Sequence, residues 1–79
     1  MTQQEEIALA EKYGATYEPD AKRGRGWMRF QLNGWEIWQF ARSGKGVFWQ
    51  CAQIINMHYS NHTPQDSLEE AFEFAASTY

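Results

Sequence analysis

The chain has 79 residues, 43% of them hydrophobic and 16% aromatic, and a formal net charge of −3. That length makes one small domain, and its stock of large apolar side chains offsets the entropy of ordering, which excludes a disordered chain. Cys51 is the single cysteine, so an internal disulfide is excluded, and no apolar run reaches the length of a membrane span.

The opening Met-Thr-Gln-Gln-Glu-Glu lacks the basic and apolar regions of a secretion signal, so the expected location is cytoplasmic. Thr2 and Glu5 have the spacing of a capping box, and Ile7, Ala10 and Tyr13 recur at helical spacing before Gly14, which predicts a helix over 2–13. Residues 15–26 contain Pro19-Asp20 and the basic run Lys22-Arg23-Gly24-Arg25-Gly26 without apolar periodicity, and read as a loop. Three runs rich in aromatic and β-branched residues predict strands over 27–32, 35–42 and 47–55. Residues 56–62 are polar and read as irregular. Thr63 as N-cap, Pro64 at the first helical position and Asp66 predict a helix over 64–77, with Leu68, Ala71, Phe72, Ala75 and Tyr79 as its buried stripe. The sum is a two-layer α+β single domain in the order α-β-β-β-α, a three-stranded antiparallel meander with both helices on one face.

Turn chemistry predicts which side chains share a face. Asn33-Gly34 as a two-residue turn sets Leu32 opposite Trp35 and Phe30 opposite Ile37. The second turn, closed by Gly44-Lys45 or by Ser43-Gly44-Lys45-Gly46, sets Phe40 opposite Trp49, Trp38 opposite Cys51, Ile37 opposite Ala52 and Ala41 opposite Phe48; a loop of odd length inverts the third strand. One face then carries Phe30, Leu32, Trp35, Ile37, Ala41, Phe48, Ala52 and Ile54, and is the core face toward Ile7, Ala10, Leu68, Ala71 and Phe72. The other carries Trp27, Arg29, Trp38, Phe40, Trp49 and Cys51.

This second set mixes indoles with arginine, the residue types that concentrate binding energy at protein interfaces. The expected partner-binding residues are therefore Trp27, Arg29, Trp38, Phe40 and Trp49, with Arg23, Arg25, Arg42 and Lys45 beside them. The partner is another protein or a second copy of the chain in a homodimer. A rival reading stacks single-stranded nucleic acid on the aromatics with the basic loops on the phosphates, against a net negative charge. A purely structural reading has Arg29 stacked on Trp38 and the aromatics paired across strands.

No catalytic residue, metal or cofactor is expected. His58 and His62 are four apart, but in a predicted loop without a third ligand. Gly24-Arg25-Gly26 and Gly44-Lys45-Gly46 do not follow a strand and open a helix as phosphate loops do. Cys51 reads as an apolar filler. The predicted element order resembles that of the double-stranded RNA-binding domain, which implies RNA contact through a basic start to the last helix. This chain departs there, since Pro64-Gln65-Asp66-Ser67-Leu68-Glu69-Glu70 is acidic, and that contact is not expected. In size, acidity and general character the chain resembles accessory proteins of phages and mobile elements that inhibit a host complex, anti-CRISPR proteins among them. A non-enzymatic inhibitor acting by protein contact is the expectation.

Overall fold

The computed structural model describes residues 2–18, 29–42 and 46–78, with the backbone alone at 18 and 40–42. The described elements are α1 (Gln3–Tyr13), β1 (Thr16–Glu18), β2 (Arg29–Leu32), β3 (Trp35–Arg42), β4 (Gly46–Ile55), β5 (His58–Gln65) and α2 (Leu68–Ser77). The strands form one antiparallel sheet in the order β1-β2-β3-β4-β5. The α+β class holds, but the sheet has five strands where three are predicted, so the resemblance to the RNA-binding topology does not extend to the fold.

Helix α1 starts as its sequence predicts. Thr2 Oγ1 accepts from the Glu5 N–H at 3.2 Å and Glu5 Oε1 accepts from the Thr2 N–H at 2.8 Å, a capping box that holds the Glu5 carboxyl below the ordinary carboxylate range. It stops at Gly14, whose φ of +74 lets its N–H and that of Ala15 reach back to the last turn.

Helix α2 begins four residues later than predicted. Residues Thr63 and Pro64 belong to β5, and the N-cap is Ser67, whose hydroxyl accepts from the Glu70 N–H at 3.1 Å. Pro64 is tolerated in a strand because β5 is an edge: opposite Gln50, its nitrogen faces away from β4, where no N–H is required.

The two added strands flank the meander. Thr16–Glu18 pairs with β2, with Tyr17 opposite Phe30. The run His58–Gln65 is hairpinned to β4 through Asn56-Met57, a two-residue turn with φ of +50 and +66 that closes Ile55 against His58. A register shift between Cys51 and Gln53 marks a bulge in this pair, and Asn61 in β5 has φ +55.

The first hairpin keeps the predicted register, with Leu32 opposite Trp35 and Phe30 opposite Ile37. The second does not. Arg42 pairs with Gly46, so the number of intervening residues is odd, and Gly46 has φ +76. Ile37 faces Cys51, Trp38 faces Gln50 and Phe40 faces Phe48, one residue out from the prediction, which turns all of β4 over. Apolar burial favours this choice: it turns Trp49 and Cys51 toward the helices, where the predicted register would have put Phe48, Gln50 and Ala52.

Both helices lie on that face. The core joins Phe30, Trp35, Ile37, Trp49 and Cys51 of the sheet to Ala10 of α1 and Leu68, Ala71, Phe72 and Ala75 of α2. Phe30 meets Phe72 edge to face at 5.3 Å and Trp49 at 6.1 Å. The end of α2 is tied to the first hairpin. Asn33 Nδ2 donates to the carbonyls of Ala75 and Ala76 at 3.0 and 3.2 Å, and Trp35 Nε1 donates to that of Thr78 at 2.8 Å, so side chains of the sheet serve carbonyls the helix leaves open.

Candidate functional site

The sheet face turned away from the helices carries Arg29, Glu36, Trp38, Phe48, Gln50, Ala52, Ile54 and Tyr59. Among the described residues no helix or strand lies over it. Its centre is an ordered cluster drawn from three strands. Glu36 Oε1 takes an ion pair from Arg29 Nη1 at 3.1 Å and a hydrogen bond from the Tyr59 hydroxyl at 2.9 Å. Tyr59 on β5 reaches Glu36 on β3 across β4, at a level where β4 presents Ala52, the residue opposite Glu36. Its ring also lies 5.5 Å from that of Trp38, tilted at 56°.

Trp38 is 2% exposed and Glu36 4%, so this centre is as buried as the core on the other side. The accessible part is the rim: Arg29, Phe48 and Tyr59 are half-buried and Ile54 is exposed. A carboxylate with two donors on one oxygen is a positioned structural group, and it fixes the Arg29 guanidinium and the Tyr59 ring at the surface without free rotation. Such a preordered rim loses less side-chain entropy on contact with a partner.

The predicted site residues divide. Arg29 and Trp38 are on this face as the first hairpin predicts, but Trp38 is corrected as a contact residue, because at 2% exposed it is buried; the side chain of Phe40 lies outside the described residues. Trp49 is corrected: it lies on the opposite face, 5% exposed, in the core beside Phe30. Cys51 follows it inward, its thiol against the Ala71 carbonyl at 3.9 Å and pushed up to about 12 by burial, which keeps it a protonated filler at neutral pH. Trp27, Arg23, Arg25 and Lys45 lie outside the described residues, as does the side chain of Arg42. Phe48 and Ile54, assigned by sequence to the core face, belong to the open face through the same inversion. Tyr59 falls in a segment the sequence reads as loop, and Glu36, which the first hairpin's register puts on this face, carries no local signal of the two partners it holds across strands.

His58 and His62 are exposed on β5, and among the described residues no three His, Cys, Asp or Glu side chains are grouped as a metal would require. A shallow cavity of about 350 Å³ between the helices is lined by Glu5, Ala8, Leu9, Lys12 and Glu69, an apolar floor with charges of both signs at its edge. No described helix is long and apolar enough to cross a membrane.

The fold and site thus define a small two-layer α+β domain with an ordered polar and aromatic sheet face. No protein-family profile, curated protein or solved structure matches the chain.

Proposed function

We propose that this chain is a non-enzymatic binding protein that engages another protein through the sheet face opposite its helices, which no described element covers. The supporting observation is the asymmetry of that sheet: both helices cover one face, while the other holds an arginine, a tyrosine and a tryptophan in fixed orientation around Glu36. Arg and Tyr are side chains that anchor protein interfaces; Trp38 packs buried beside the Tyr59 ring and supports it, and Phe48 and Ile54 add apolar surface to the rim. Arg29 is already engaged by Glu36, so it offers little net charge to a phosphate chain, which favours protein over nucleic acid as the ligand. Within this reading, the chain's small size and acidity fit an inhibitor of a host complex encoded by a phage or mobile element, acting by contact.

The test is a photo-crosslinking side chain placed at Phe48 on the face and, as control, at Glu73 on the outer side of α2, both in cells that express the chain. An adduct with a different protein from position 48 alone is the expected result. Identical adducts from both positions, or none from 48, would remove the face from consideration.

A further inference from the structure

Every Asp, Glu, Lys and Arg in the chain lies outside Gly46–Gln65. That stretch is β4, the Asn56-Met57 turn and β5, so the outer hairpin of the sheet has no permanently charged side chain, although the chain as a whole is at −3. The tip of the hairpin is also where exposed apolar surface concentrates among the described residues. Met57 is 95% exposed, and Ile54 and Ile55, at 43% and 44%, point to opposite sides of the same end.

Turn chemistry does not account for Met57. Both residues of this turn have positive φ, and the second position of such a turn selects glycine, as Gly34 does in the Asn33-Gly34 turn. A methionine there strains the backbone and holds a thioether in water, two local costs in one side chain. Strain at an exposed apolar tip points to a contact made outside the monomer.

We propose that the β4–β5 hairpin is a self-association surface, on which a second copy of this chain packs about a two-fold axis with Met57 and Ile55 of each copy against the other. Charge selects the occupant. Two copies repel wherever acidic surfaces meet, and the helices present Glu5, Glu11, Glu69, Glu70 and Glu73 at the surface; the hairpin lets them approach without opposing charges. The same neutrality disfavours nucleic acid and anionic lipid, both of which recruit clustered lysine and arginine. A two-fold contact sets apolar against apolar by symmetry and closes at two copies. Backbone pairing along β5 is not the device, because Pro64 supplies no N–H to the outer edge and the bulge at Asn61 twists it. The contact is made by side chains at the tip and is correspondingly small, which makes the dimer weak and concentration-dependent.

Sedimentation equilibrium of the full chain over a concentration series, at low and high sodium chloride, tests this. The expected mass rises from 9.3 kDa toward twice that value, and association tightens with salt as repulsion between the acidic copies is screened. Met57→Gly should weaken association at least tenfold while keeping the urea midpoint at or above that of the parent, and Ile55→Asn should weaken it as well. A monomer at every concentration overturns the proposal. So does a dimer indifferent to both substitutions, one that loosens with salt, or an open-ended polymer. Met57-dependent cosedimentation of a monomer with phosphatidylcholine vesicles would assign the tip to a lipid surface instead. The crosslink from position 48 reads the open face separately, since Met57 and Ile55 are not part of its cluster.

Discussion

The two faces of this sheet each bury a carboxylate, and they do so in opposite ways. In the helix layer Glu6 is 3% exposed, its Oε1 has no hydrogen-bond partner among the described residues, and burial pushes its pKa up to about 7. On the open face Glu36 is equally hidden, but one of its oxygens holds both Arg29 and Tyr59. The helix side gains stability from apolar packing and tolerates one unsatisfied acid at a cost that depends on pH. The other side builds a network whose members orient one another.

The largest test of this contrast is in the core. Phe72→Ala removes a fully buried ring that meets both Phe30 and Tyr13, and should cost about 4 kcal/mol in urea unfolding. Trp38→Ala on the open face should cost about 3 kcal/mol by the same measurement, because the indole is just as buried although no described element lies over it. A change under 1 kcal/mol for Trp38 would show its burial to contribute little to folding and remove the contrast with the core.

Glu6→Gln separates the carboxylates by pH. With a folded pKa raised from 4.5 to about 7, Glu6 is protonated in both states below pH 4.5 and exacts no penalty there. As pH rises through 4.5 to 7 the unfolded chain ionises first, so the parent loses stability that the glutamine variant keeps, on the order of 2–3 kcal/mol by pH 8. Parallel pH profiles for the two proteins would show Glu6 to be solvated. Glu36→Gln keeps the shape and removes the charge opposite Arg29; a loss of about 1–2 kcal/mol is expected, because the partly buried ion pair between them is lost. If Glu36→Gln and Arg29→Gln add independently in a double-mutant cycle, the network is not coupled and the contrast between the faces fails.

Much of the framework was legible along the chain because its signals are local. The capping box of Thr2 and Glu5, the stop at Gly14, the Asn33-Gly34 turn and the stripe Leu68, Ala71, Phe72 and Ala75 each depend on residues within a few positions of one another. The outer strands were illegible for opposite reasons. Thr16–Glu18 is three residues long, too short for any alternation to register. His58–Gln65 is long enough but polar on both sides, and Thr63-Pro64 imitates the start of a helix; the better start was Ser67 with Glu70 three residues on. Ile55-Asn56-Met57-His58 carried a hairpin signal that only its Asn betrayed.

The candidate site was legible in part. Arg29 and Trp38 were found because they belong to the hairpin whose register Asn33-Gly34 sets, whereas Trp49 was misplaced because one residue in the length of the next loop decides its face.

From the sequence alone follow the class of the fold, its helical stripes and the first hairpin, since local periodicity and turn chemistry depend on neighbours in the chain. Tertiary structure decided the inverted fourth strand, the two edge strands and the Arg29–Glu36–Tyr59 cluster. These depend on which register buries the most apolar surface and on side chains meeting across strands, and neither is encoded by proximity in sequence.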